Sequence, residues 1–144
     1  MRPVAHTLVD SIAAPIDRVF AALTDPTRMP QWLPGCTDVR CDAPLKKGVR
    51  MRAQFGARGS EFEIVDFVPP ATFGWVERGG RSARAGWKTF FHLAATGAST
   101  ALTIRDVWVP PSFLAWVRGR FFERRRVRGH LDAIVQNLRK LLQQ

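Results

Sequence analysis

From Thr37 to Val109 apolar and polar residues alternate in short runs: Thr37 to Cys41, Val49 to Phe55, Glu61 to Val68, Phe73 to Arg78, Trp87 to Ala94 and Ala101 to Val109. Alternation is the pattern of a strand buried on one face. The spacers are short and turn-like (Pro44 to Gly48, Gly56 to Gly59, Pro69-Pro70, Gly79-Gly80, Gly97 to Ser99), which favours antiparallel neighbours. After Pro110-Pro111 no proline occurs and the apolar period changes to 3.6. Ser112 is placed to cap a closing helix of roughly thirty residues, long enough to cross a small sheet. A large antiparallel sheet must curl, and such a helix covers its concave face.

Ahead of these strands, Thr7 to Ala13 reads as a first strand that stops at Ala14-Pro15. Ile16, Val19, Phe20 and Leu23 then follow helical spacing, with Asp17 near the positive helix start. Asp25-Pro26 starts a second helix, which Pro30 interrupts and Pro34-Gly35 ends. The order β-α-α-β-β-β-β-β-β-α predicts an α+β fold of about seven strands, with residues 1–144 forming one domain.

Composition excludes several classes. Ten Phe and five Trp in 144 residues rule out a disordered chain. Cys36 and Cys41 are spaced for neither a mutual disulfide nor a CxxC metal site, so two free thiols are expected. His6, His92 and His130 show no ligand spacing, so no metal and no cofactor is expected. The start of the chain carries no apolar run like a signal peptide, and no apolar stretch is long enough to cross a bilayer. The expected compartment is the cytoplasm. A formal charge of +10 favours anionic partners without naming one.

Three segments carry a resemblance: Ile12-Ala13-Ala14-Pro15-Ile16-Asp17-Arg18-Val19-Phe20, Leu23-Thr24-Asp25-Pro26, and Trp32-Leu33-Pro34-Gly35. Phe67-Val68-Pro69-Pro70, Ser99 to Ile104 and Asn137 to Leu142 fit the same pattern in the same order. Together they resemble the START/SRPBCC superfamily of helix-grip, Bet v 1-like proteins, closest to its polyketide cyclase/dehydrase-like branch. The resemblance implies a curved antiparallel sheet wrapped around a long C-terminal helix, with a mainly apolar cavity between them. It includes lipid carriers, hormone receptors, cyclases, co-chaperones and oxygenases, so fold alone does not settle function. The oxygenases' iron needs two His and a carboxylate, which the three His here do not supply.

Strand parity names the residues facing such a cavity. Trp87, Thr89, Phe91 and Leu93 share one face, with Lys88, Phe90 and His92 on the other. Leu102, Ile104, Asp106 and Trp108 go together, as do Phe73, Trp75 and Glu77. Phe62, Ile64 and Val68 carry Asp66 with them. Three carboxylates therefore fall on apolar faces, where each needs a partner or a proton unless a bulge turns it outward. The closing helix has a core stripe through Phe113, Val117, Val127, Leu131, Ile134, Val135, Leu138, Leu141 and Leu142. Extending that stripe brings Arg120 and Arg124 inward, to meet Asp106 or an anionic ligand, with snorkelling to solvent as the alternative. The expected ligand-binding set is Trp32, Phe62, Ile64, Phe73, Trp75, Trp87, Thr89, Phe91, Ile104, Asp106, Trp108, Val117, Arg120 and Arg124.

Arg118, Arg125 and Arg126 point outward by their helical angles, near Phe113, Leu114 and Trp116. Basic residues beside bulky apolar ones suit an anionic membrane surface, or a plain solvated face. No helix-turn-helix, RNP or zinc-finger pattern accompanies them, so nucleic acid is not an expected partner. The expected function is binding or transport of a hydrophobic small molecule or lipid. The alternative is a metal-free cyclase, aromatase or dehydratase acting in the same cavity. Tyr is absent and parity directs no His inward, which leaves that enzyme few acids and bases.

Overall fold

The computed structural model describes residues 3–78, 86–109, 112–121 and 124–143, the side chains of 118–121 excepted. The Gly79-Gly80 turn and the Pro110-Pro111 stop fall outside them. The elements are β1 (Val4–Ile12), α1 (Ile16–Leu23), α2 (Met29–Trp32), β2 (Asp38–Cys41), β3 (Arg50–Phe55), β4 (Arg58–Val68), β5 (Thr72–Arg78), β6 (Lys88–Thr96), β7 (Ser99–Trp108), α3 (Phe113–Phe121) and α4 (Arg124–Leu142). The strands form one curved antiparallel sheet in the order β1-β7-β6-β5-β4-β3-β2. This is the expected helix-grip architecture: β1 crosses to the far edge and pairs with β7, while the remaining strands follow as a meander.

The closing helix is described as two stretches, α3 and α4. Ser112 caps the first, its Oγ accepting from the Ala115 N–H at 3.1 Å. Pro30 does not interrupt the second short helix as expected. That helix starts at Met29, which puts Pro30 in its first turn, where a missing N–H costs nothing. Asp25 instead organises the preceding turn, accepting from the Thr27 N–H at 3.0 Å and hydroxyl at 2.7 Å.

The core lies between the sheet and α4, whose Val127, Leu131, Ile134, Val135, Leu138, Leu141 and Leu142 are buried. Polar contacts fix the helix in place. Asn137 Nδ2 donates to the Trp32 carbonyl at 3.2 Å, and Arg139 Nη2 reaches Asp10 Oδ1 at 2.7 Å and the Ser11 carbonyl at 2.8 Å.

Parity holds along β5, β6 and β7 and fails in β4. The register shifts between Ile64 and Asp66, so Phe67 packs against the core while Val68 becomes 56% exposed. The expected grouping of Val68 and Asp66 with Phe62 and Ile64 is thus corrected by a bulge, which adds one residue and reverses the faces beyond it. Asp66 there accepts from the Thr72 hydroxyl at 2.9 Å. Phe90 does point outward, and Gly74 opposite it explains how: a Cβ at Gly74 would stand 2.6 Å from the Phe90 ring.

Candidate functional site

The inner face of the sheet carries a row of directly opposed residues across four strands, three of them polar. Trp75 pairs with Thr89, Thr89 with Asp106, and Asp106 with His6. Directly opposed residues of an antiparallel sheet project to the same side. Asp106 is 1% exposed and accepts the Thr89 hydroxyl at 2.5 Å. A hydrogen bond of this kind lowers the cost of a carboxyl group on an otherwise apolar face.

Beside this row a cleft of about 350 Å³ opens between the sheet and the start of α4. Its sheet wall is aromatic: Phe55 and Phe62 from β3 and β4, Trp75 from β5, and Trp87 just before β6. Phe62 and Trp75 meet edge to face with centroids 5.5 Å apart, and Trp87 is backed by Trp108, stacked at 5.3 Å. Glu77 and Thr89 add polar groups to that wall. Glu77 is buried, with Arg58 Nη1 3.9 Å from its carboxylate, and the Arg58 guanidinium lies 4.9 Å over the Phe55 ring. The helix side contributes Arg126, Val127 and His130, and Leu33 and Pro34 close one end.

Helical phase explains which basic residues arrive there. With Val127 facing the core, steps of about 100° put His130 and Arg126 on one flank of α4 and Arg124 and Arg128 on the other. His130 and Arg126 therefore line the aromatic cleft. Arg124 and Arg128 border a separate hollow of about 300 Å³ beside β1, with His6, Trp116 and Leu131.

Of the residues expected to face a ligand, Phe62, Trp75, Trp87 and Thr89 are brought together on the cleft wall. Asp106 and Trp108 stand behind it, bonded to Thr89 and stacked on Trp87. Trp32, Ile64, Phe73, Phe91 and Ile104 are not on it. They are fully buried, with Phe91 5.8 Å from Trp32 and stacked on Phe73 at 5.9 Å, so side chains fill this part of the space under the helix. Val117 is half-buried on α3 and borders neither hollow. Arg124 is exposed and turned toward β1, against the inward position expected for it. The side chains of Arg118 and Arg120 lie outside the described residues.

Arg126 is exposed, as expected, and it also borders the rim of the cleft. Histidines were not expected inward, yet His130 borders the cleft and His6 shares the face of Asp106. Stepping from Val127 would have found His130. Placing His6 required the strand to begin at Val4 instead of Thr7. Leu33, Pro34, Phe55 and Arg58 come from three separate segments, and no pattern in the chain joins them. Among the described residues, no group of three His, Cys, Asp or Glu stands together as a metal ion would need. No described helix is long and apolar enough to cross a membrane.

The family model described as polyketide cyclase/dehydrase and lipid transport matches residues 5–143. No curated protein matches the sequence. Among solved structures, protein NE0264 from Nitrosomonas europaea is 18% identical with a TM-score of 0.74, covering 97% of this chain and 94% of that one. DynU16, from the dynemicin biosynthetic locus, is 22% identical with a TM-score of 0.72 over 96% of this chain, which spans only 47% of that protein. Norcoclaurine synthase from Thalictrum flavum, solved with dopamine and hydroxybenzaldehyde, is 15% identical with a TM-score of 0.71, covering 98% and 87% of the two chains. At these identities what is shared is the fold.

Proposed function

Because the chain belongs to the polyketide cyclase/dehydrase and lipid transport family, we propose that it binds a hydrophobic small molecule in the cleft between β3–β6 and α4. The observation that carries this reading is the aromatic wall of Phe55, Phe62, Trp75 and Trp87 lining a cleft of about 350 Å³, while Phe73, Phe91 and Ile104 fill the space beneath the helix. Apolar walls with a few placed polar groups are the usual make-up of a ligand site. Native mass spectrometry of freshly purified protein, followed by solvent extraction, tests it. A stoichiometric hydrophobic adduct that Trp75→Ala reduces is expected. A clean mass that no hydrophobic compound alters would overturn the reading.

A second reading is catalytic, and the placement of Glu77 and His130 on one cleft favours it. A carboxylate and an imidazole facing one bound molecule can exchange protons with it, as cyclisation or dehydration requires. Glu77→Gln should then abolish turnover of a bound ligand while leaving its binding intact; loss of neither rejects the role.

The site of action we read as the cytoplasm, since the free Cys36 and Cys41 suit a reducing compartment. Val109, Phe113 and Leu114 are exposed at 63%, 66% and 78%, close in sequence to the exposed Arg125. We read this segment as a contact for anionic lipid. Flotation with anionic vesicles, lost on Phe113→Ser with Leu114→Ser, is the expected result. Equal behaviour with neutral vesicles contradicts it.

A further inference from the structure

Resting on the binding reading above, we infer that the cleft selects a small flat anion, an arene carboxylate or a molecule of like chemistry, over its neutral counterpart. Three observations converge on that class. The first is size. About 350 Å³ lies near the lower end of the roughly 300–1,000 Å³ typical of ligand pockets, which suits a compact ring system better than two membrane-length acyl chains. The second is shape. Phe62, Trp75 and Trp87 present aromatic surfaces, and Trp87 is held in place by its stack on Trp108. Rigid rings favour a flat partner that can stack or meet them edge-on.

The third is charge. Among the described residues the cleft brings Arg58, Arg126 and His130 against the single carboxylate of Glu77. Arg58 is committed to Glu77 and to the face of Phe55. Arg126 makes no salt bridge within the described residues and stands at the rim, on the flank of α4 that faces the aromatic wall. A ring lying on that wall with a carboxylate toward α4 meets a guanidinium whose planar fork matches two carboxylate oxygens. A neutral ring in the same position leaves that guanidinium to solvent and gains nothing from it.

The test uses 2-naphthoate and 2-naphthol, which share a ring system and differ in charge at neutral pH. Isothermal titration of the intact protein should show the naphthoate binding about tenfold more tightly at low salt, the gain of roughly one charge-assisted hydrogen bond. High salt should shrink the difference, because the rim is open to solvent. Arg126→Gln should remove most of the preference by weakening naphthoate far more than naphthol. Arg126 is exposed, so this variant keeps the fold. Equal affinities, a preference for naphthol, or a preference that survives Arg126→Gln each overturns the inference while the binding reading stands. Failure of both compounds to bind at millimolar concentration overturns the inference, and the binding reading falls with it only if native mass spectrometry also finds no hydrophobic compound that binds.

Discussion

Thr89 and Asp106 face each other across β6 and β7, the hydroxyl donating to the carboxylate at 2.5 Å with both residues buried. The bond fixes the floor of the cleft, since Thr89 belongs to its wall and Asp106 lies behind. Thr89→Val keeps the shape and removes the donor. Removing one partner of a buried hydrogen bond costs about 1–3 kcal/mol, so urea unfolding should show a loss of that size. A loss below about 0.5 kcal/mol, within the range of ordinary surface changes, would mean the pair does not hold the floor.

Gly74 and Phe90 form a second coupled pair, on the outer face of the sheet. A methyl at Gly74 would press on the Phe90 ring at 2.6 Å and approach the Thr89 carbonyl at 3.2 Å. Gly74→Ala should therefore destabilise by about 1–3 kcal/mol, the usual cost of overpacking. In a Phe90→Ala background the same substitution should cost much less, and equal costs in both backgrounds would refute the contact.

The two cysteines should differ in reactivity. Burial pushes the Cys36 thiol above its ordinary value, outweighing the hydrogen bond to the Asp38 backbone. The thiolate is the reactive form, and Cys36 is 7% exposed while Cys41 is half-buried. Iodoacetamide at neutral pH should label Cys41 first. The raised value also sets a sign for stability: its contribution is complete below the ordinary thiol range and is lost as pH rises through the folded value. Cys36→Ala should therefore flatten the alkaline fall in the urea midpoint. Simultaneous labelling, or an unchanged fall, contradicts this account.

Much of the fold is legible in the chain because period and punctuation are local. Short turns between alternating runs imply a meander, and the proline-free 3.6 period after Pro111 implies the closing helix. Parity likewise placed Thr89, Phe91, Ile104 and Asp106 inward, since Leu93, Leu102 and Trp108 fix the phase of β6 and β7. Parity says which face a side chain is on, and nothing about whether that face is filled. Phe73 and Phe91 stack on each other under the helix, while Trp75 and Phe62 are left on the cleft. The β4 bulge was hidden because one extra residue looks like ordinary alternation until the pairing partner is known. The division of Arg124 from Arg126 depends on helical phase at a single turn, where one position moves a side chain by about 100°.

The most direct test of the central claim is the ¹H–¹⁵N spectrum of the tryptophan indoles during titration with 2-naphthol and 2-naphthoate. Trp75 and Trp87 line the cleft, and Trp116 borders the separate hollow beside β1. Saturable shifts of the Trp75 and Trp87 indoles, with Trp116 unmoved, are the expected result. Shifts at Trp116 with Trp75 and Trp87 unchanged, or no saturable shift at any indole, would contradict a ligand site in the cleft.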